Sequence, residues 1–406
     1  MLYQAYEMQR AMMAGMGKAA EAGANMLTNV GNPMSYMPGG TVAASALDVF
    51  AHAVEPRGKP DFGLETVEHD GKIHEVTEEV AMRLPFGQLK RFVKKDGNKD
   101  QPRLLIVAPM SGHYATLLRG TVERMIPNHD VYITDWRDAK LVPMSEGSFD
   151  LDDYIDYTIE FLEHIGAGAH ILAVCQPSVP VYAAVAVMSA DEHPALPASL
   201  TMMGGPIDTR EAPTAVNGMA VNKPHAWFEQ QMIATVPPFY PGAMRRVYPG
   251  FMQLTSFMSM NLAGHMMSHW EMFKHLVDGD GESADQTKDF YDEYRAVCDM
   301  TAEFYLQTVD TVFQRHLLPT GQMTHRADPV VPAKIKDVAL LAIEGERDDI
   351  SGIGQTKAAL TLAKNLAESK KQYLLAEGVG HYGIFNGSKW RTKIAPVVEA
   401  FIQKHD

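Results

Sequence analysis

The chain has 406 residues, of which 46% are hydrophobic and 21% charged, so it is long enough to bury a large core. Its formal net charge of -14 argues against a nucleic-acid partner or an anionic membrane. Its two cysteines cannot build a disulfide framework, no zinc-type cysteine spacing occurs, and no apolar run is long enough to span a membrane. We expect a cytoplasmic protein without a secretory signal, membrane span, metal or cofactor.

Residues 1–100 are predicted to form an N-terminal extension that packs on a larger core. Helical spacing covers residues 2–22, and a second, short helix is predicted over residues 41–53 after a loop rich in Gly, Pro and Asn. One or two strands are expected around residues 72–83. The charged run at residues 94–100 marks the predicted boundary.

From residue 103 onward, short apolar runs alternate with helical patterns. Such an alternation predicts a doubly wound, mostly parallel sheet of the α/β class. Strands are predicted at residues 104–108, 131–134, 171–174, 199–203, 338–343 and 372–376. Helices are predicted at residues 116–125, 154–164, 354–366 and 389–403. Residues 101–206 and 326–406 are thus the two parts of one core.

Residues 207–325 interrupt this core without a strand pattern and are predicted to form a mainly helical cap. Residues 207–250 resemble loops, residues 251–275 are apolar and helical, and one long helix is predicted over residues 291–316. An insertion of this size, after a strand of an open sheet, predicts a cover over the edge where ligands bind.

Methionine is unusually frequent, with 26 residues that cluster in residues 1–37 and 244–272. In the first helix, Met8, Met12 and Met16 form one row at i, i+4 spacing. Methionine side chains are soft and adaptable, so two interpretations stand. The methionines form a plastic core, or they form a flexible wall against an apolar polymer.

Cys175 stands where a predicted strand turns sharply into a helix. This placement is typical of the nucleophile elbow of α/β-hydrolases, although Ala173 and Pro177 occupy the positions of the usual glycines. The positive end of the helix dipole would favour a thiolate at this position. A buried structural cysteine is the alternative interpretation.

An acid and a histidine follow two later strands at the same predicted edge. Asp348 and Asp349 come after the strand at 338–343, and His381 comes after the strand at 372–376. The chain order of nucleophile, acid and histidine is that of α/β-hydrolases. We therefore predict a triad of Cys175, Asp348 and His381, with Asp349 as the other candidate for the acid.

The predicted roles follow from the chemistry of such triads. His381 would take the thiol proton and later activate water, while the carboxylate would orient the imidazole. The oxyanion needs two backbone N–H donors, and Gln176, which follows the nucleophile, would be one. Ser111 is preferred as the second donor and Met110 is the alternative. His113, in the same loop, is expected to be a loop or pocket-wall residue.

Several segments resemble the intracellular polyhydroxybutyrate depolymerases, and the resemblance runs through nearly the whole chain. They lie at residues 1–4, 7–10, 108–113, 133–136, 174–177, 203–208 and 345–350. The resemblance implies an α/β-hydrolase fold with a cysteine nucleophile. It also implies hydrolysis of stored, amorphous poly(3-hydroxybutyrate) to oligomers or 3-hydroxybutyrate, through an acyl-enzyme on Cys175 at the granule surface.

Three other functions compete with this interpretation. A polyester synthase-like acyltransferase would share the triad, but no basic cluster for the phosphates of coenzyme A is evident. A cysteine-dependent hydrolase of small esters would not need a large methionine-rich cap. A non-catalytic granule protein would have no need of the three residues together. The sequence leaves the oligomeric state open, and a homodimer is among the states that it allows.

Overall fold

The computed structural model describes residues 2–69, 71–95, 100–260 and 262–406. Among these residues, nine strands form one large sheet. They are β1 (Thr66–His69), β2 (Lys72–Leu84), β3 (Gly87–Lys94), β4 (Arg103–Val107), β5 (Asp130–Trp136), β6 (His170–Val174), β7 (Ser199–Met203), β8 (Ala339–Gly345) and β9 (Lys371–Ala376).

The spatial order of the strands is β1-β2-β3-β5-β4-β6-β7-β8-β9. Strands β4 to β9 run parallel, whereas β3 pairs antiparallel with both β2 and β5. A parallel sheet that begins with antiparallel strands, and to which later strands are added in chain order, is the α/β-hydrolase fold. The predicted fold class is confirmed.

The α-helices lie on both faces of this sheet and in the segments that flank it. They are α1 (Leu2–Thr28), α2 (Gly40–Val54), α3 (Arg119–Met125), α4 (Leu151–Ile165), α5 (Ser178–Ala190), α6 (Ala215–Asn222), α7 (His225–Met232), α8 (Gly250–Met260), α9 (Leu262–Asp278), α10 (Gly281–Arg295), α11 (Ala302–Thr308), α12 (Ala358–Leu362), α13 (Gly387–Lys389) and α14 (Ala395–His405). Strands β5 to β8 are buried along their whole length, as expected of strands that are covered on both faces.

The N-terminal third of the chain differs from the prediction at its boundary. Helices α1 and α2 correspond to the two predicted helices and pack against each other as a hairpin, but β2 and β3 belong to the main sheet. The predicted boundary at residue 100 therefore does not coincide with the edge of the sheet, because β3 finds its partner in β5. Residues 96–99 of the charged run lie outside the described residues.

The segment between β7 and β8 is mainly helical but contains short strands. Residues 234–235, 246–248 and 300–301 form a three-stranded sheet, which the sequence did not predict. The prediction of one long helix over residues 291–316 is wrong. Helix α10 ends at Arg295 and α11 begins at Ala302, because the intervening backbone pairs with other parts of the chain; the N–H of Cys298 donates to the carbonyl oxygen of Gly112 at 2.7 Å.

The helix predicted over residues 354–366 is reduced to the five residues of α12. A buried carboxylate explains why the helix begins later than predicted. Glu344, at the end of β8, accepts hydrogen bonds from the N–H groups of Gly354, Thr356 and Lys357 at 2.8–2.9 Å. These N–H groups are fixed as a loop against the sheet edge instead of starting a longer helix.

Within the described ranges, no helix combines the length and the apolar character needed to cross a membrane. In the same ranges, no group of three or more His, Cys, Asp or Glu side chains is arranged to hold a metal ion.

Candidate active site

Cys175 forms a strained turn directly after β6. Its φ angle is +66°, a left-handed conformation that costs a non-glycine residue on the order of 1–3 kcal/mol. Its N–H donates to the carbonyl oxygen of Met203 at 2.7 Å, and its own carbonyl accepts from Ser178 N–H at 3.0 Å. These bonds hold the half-buried cysteine between the end of the sheet and the first turn of α5.

His381 and Asp348 meet at the same edge of the sheet. Nδ1–H of His381 donates to Oδ2 of Asp348 at 2.7 Å, while Oδ1 of Asp348 accepts from the N–H groups of Ile350 and Ser351. Asp348 is thereby fixed by its own loop, and its side chain is fully buried. Asp349, the other predicted acid, is exposed and is not the partner of this imidazole.

The charge of His381 depends on Cys175 and Asp348. Burial by itself would lower the pKa of this imidazole, but the negative charge on Cys175, hydrogen bonds to Asp348 and Cys175, and the charge of Asp348 raise that pKa to about 10. The geometry therefore favours an imidazolium beside the sulfur.

Two adjacent glycines make room for this arrangement. A Cβ atom on Gly204, whose φ is +61°, would lie 3.2 Å from both Asp348 Oδ2 and His381 Cε1. A Cβ atom on Gly205 would lie 2.1 Å from the hydroxyl oxygen of Ser178 in α5. Any side chain at these positions would push the acid, the imidazole or the elbow helix away. From the sequence, this pair stood out only as part of the segment 203–208 that resembles the depolymerases.

The predicted oxyanion donors lie in the expected loops. None of the hydrogen bonds among the described residues uses the backbone N–H of Gln176, Met110 or Ser111. Both side-chain amide atoms of Gln176 are also buried without a partner in the described part of the chain. The structure thus leaves several donors beside the elbow available and does not choose between Ser111 and Met110.

The loop after β4 is attached to the segment between β7 and β8. Val297 forms a bridge with His113, and Nε2–H of His113 donates to the carbonyl oxygen of Tyr294 at 3.1 Å. Burial lowers the pKa of His113 to about 4, so this buried loop residue is neutral. Gly112, with a φ of +100°, admits Gln253 of α8 so closely that a Cβ would meet its Oε1 at 2.5 Å.

Aromatic side chains cover the imidazole. The rings of Tyr382 and Phe385 stand perpendicular to His381 at 6.0 and 5.9 Å, and Tyr294 of α10 lies 6.1 Å from Tyr382. His381 is only 5% exposed as a result. Sequence reasoning missed Tyr294 and Tyr382, because nothing in the local pattern of α10 shows that it reaches the histidine loop.

Two cavities of about 360 and 480 Å³ lie away from the triad residues. Lys59, Tyr114, Asp138 and Leu141 line both cavities, whereas Cys175, Asp348 and His381 line neither.

The raised pKa of His381 gives a direct test of this geometry. We expect the Cys175→Ala substitution to lower the pKa of His381 from about 10, because it removes the negative charge that favours the imidazolium. The pKa can be followed by NMR titration of ¹³C-labelled histidine, with His381→Gln to identify the signal. Cys298→Ala is the matched control and should leave the titration unchanged. An unchanged pKa in Cys175→Ala would contradict the contact.

Solved structures of several hydrolases are similar to this chain. A putative lipase from Acinetobacter baumannii is 15% identical with a TM-score of 0.42, covering 81% of this chain and 93% of its own. A 2-hydroxy-6-oxo-6-phenylhexa-2,4-dienoate hydrolase from Rhodococcus is 12% identical with a TM-score of 0.43, covering 81% and 99%. A monoacylglycerol lipase from Paleococcus ferrophilus is 11% identical with a TM-score of 0.42, covering 75% and 96%. Similarity at this level does not bear on the reaction.

A comparison with curated proteins finds no match. A family model described as "PHB de-polymerase C-terminus" matches residues 204–406, which is half of the chain and includes Gly204, Asp348 and His381. The chain therefore belongs to the polyhydroxybutyrate depolymerase family and is an ester hydrolase with the α/β-hydrolase fold.

Proposed function

We propose that the protein is an intracellular depolymerase that hydrolyses stored, amorphous poly(3-hydroxybutyrate) to oligomers or 3-hydroxybutyrate. The observation that supports this most is the pairing of His381 with both Asp348 and Cys175 at a strained elbow. The family match supports the polyester as the substrate. In this proposal, the protein acts in the cytoplasm at the granule surface and needs no cofactor.

The first half-reaction transfers an acyl group to the enzyme. The Cys175 thiolate attacks an ester carbonyl carbon, and the new oxyanion accepts hydrogen bonds from Gln176 N–H and from Ser111 or Met110 N–H. The tetrahedral intermediate then breaks the bond to the alcohol oxygen. His381 gives its Nε2 proton to that oxygen, so a hydroxyl-ended chain leaves and a thioester remains on Cys175.

The second half-reaction hydrolyses the thioester. His381, now neutral at Nε2, takes a proton from water as the oxygen attacks the thioester carbonyl. Collapse of this intermediate breaks the carbon–sulfur bond, releases the carboxylic acid and restores the thiolate beside the imidazolium. Asp348 accepts the Nδ1 hydrogen bond throughout, which keeps Nε2 directed at the reacting atoms.

In an assay without coenzyme A, Cys175→Ala should reduce product release from amorphous poly(3-hydroxybutyrate) granules by about a thousandfold or more. The substitution removes the sulfur on which the acyl-enzyme forms. The measurement is released 3-hydroxybutyrate and its oligomers, and Cys298→Ala, at the other cysteine, should retain activity. Full activity of Cys175→Ala would place the nucleophile elsewhere. No release by the folded parent protein would favour the acyltransferase or the small-ester hydrolase.

Asp348→Asn and Asp349→Asn form a matched pair that identifies the acid. Asp348→Asn should lower kcat by about a thousandfold or more, because an amide can hold the imidazole in the wrong tautomer. Asp349→Asn should change kcat by less than about threefold, since its side chain is exposed. Turnover of a soluble 3-hydroxybutyrate oligomer measures both variants. Equal losses, or a larger loss in Asp349→Asn, would refute the assignment.

A further inference from the structure

We propose that the helical hairpin α1–α2, together with the cap helix α9, is the docking surface by which this protein adsorbs to its solid polyester. The inference rests on the proposed function for the identity of the polymer. It adds a binding surface that is separate from Cys175, Asp348 and His381.

Exposed apolar side chains are concentrated in residues 2–42, which contain α1 and the start of α2, and in the segment that contains α9. Of the 23 large hydrophobic residues that are exposed among the described residues, ten lie within residues 2–42 and eight within residues 219–290, of which three (Met266, Met267 and Trp270) are on α9. Only five lie elsewhere in the described chain. An apolar surface gathered in this way is typical of a binding face, whereas scattered exposed residues would need no explanation.

The packing of α1 turns its methionine row outward. Gly17, Ala20 and Ala24 are buried and face α2, and a Cβ on Gly17 would lie 2.7 Å from Val54. Met8, Met12 and Met16 are exposed by 75%, 61% and 49%. Small residues of α1 thus make its contact with α2, and the methionine row is exposed instead of forming part of a plastic core. Folding gains little from three exposed methionines, whereas adsorption to an apolar surface would bury them.

The charge pattern indicates a neutral partner. Residues 22–47 contain no charged side chain, and residues 247–270 contain no Asp, Glu, Lys or Arg, although the whole chain carries a net charge of -14. Residues 2–21, which contain the methionine row, carry two acidic and two basic side chains and therefore no net charge. An anionic membrane would require clustered Lys or Arg, which these stretches lack. Amorphous polyester is neutral and irregular, and the flexible methionine side chain adapts to such a surface.

The hairpin is continuous with the cap that covers the active site. Helix α2 packs against α9, and its Asp48 and His52 pair with Lys288 and Asp292 of α10 at 2.7 Å. The guanidinium of Arg295, at the end of α10, donates to the carbonyl oxygen of His52 at 2.7 Å. Adsorption through α1, α2 and α9 would therefore hold the granule beside the cap.

The test compares granule binding in an inactive Cys175→Ala background, so that the surface is not digested. Met8→Gln, Met12→Gln and Met16→Gln combined should weaken sedimentation with protein-free amorphous granules by about tenfold or more. Met266→Gln with Met267→Gln, on α9, should weaken it as well. Met144→Gln, an equally exposed methionine outside these helices, is the matched control and should bind like the parent.

Unchanged binding of the triple variant and of the α9 variant, with thermal midpoints that show folded proteins, would overturn the inference. Equal binding of the parent to neutral phosphatidylcholine vesicles, lost in the same variants, would overturn the choice of polyester as the partner. Failure of the proposed function has a different signature, because the parent with Cys175 intact would then release no product from granules or soluble oligomers.

Discussion

The left-handed backbone of Cys175 is the constraint on which the rest of the site depends. This conformation is unfavourable for cysteine, and it persists because the residue bonds through its N–H to Met203 on the neighbouring strand and through its carbonyl to Ser178. The turn lifts the sulfur out of the line of β6 and toward the histidine loop. Without it, the sulfur would continue the strand, and the buried imidazole would lose the interaction with Cys175 that raises its pKa.

Residues at the ends of the neighbouring strands β7 and β8 provide the space and the hydrogen bonds around this turn. Gly204 and Gly205 follow β7 and leave space for the acid, the imidazole and the start of α5. Glu344, at the end of β8, fixes the loop around Thr356, whose hydroxyl group accepts from Gly205 N–H at 2.8 Å. Cys175, its glycine neighbours and the loop of Asp348 are therefore one hydrogen-bonded unit. A change in any member should be felt at the others, because polar groups buried together act as a network.

The six parallel strands of the sheet were predicted from the sequence, because such strands are short apolar runs whose carboxyl ends meet at one edge, whereas β1 and β3 were not placed. Prediction failed where distant parts of the chain decide the local structure. The helix predicted over residues 291–316 is interrupted because the backbone of Cys298 bonds to Gly112, which lies far earlier in the chain. The helix predicted over residues 354–366 begins only at Ala358, because the carboxylate of Glu344 holds the preceding N–H groups in a loop. The methionine spacing in α1 predicted a helix but could not show which face is exposed.

The central claim is that Cys175 carries the acyl group during ester hydrolysis. The most direct measurement is mass spectrometry of the protein after rapid acid quenching of its reaction with excess soluble 3-hydroxybutyrate oligomer. We predict a 3-hydroxybutyryl adduct on the peptide that contains Cys175, removable by hydroxylamine as expected of a thioester. An adduct on another residue, or turnover at saturating substrate with no adduct on Cys175 at any quench time, would contradict the account.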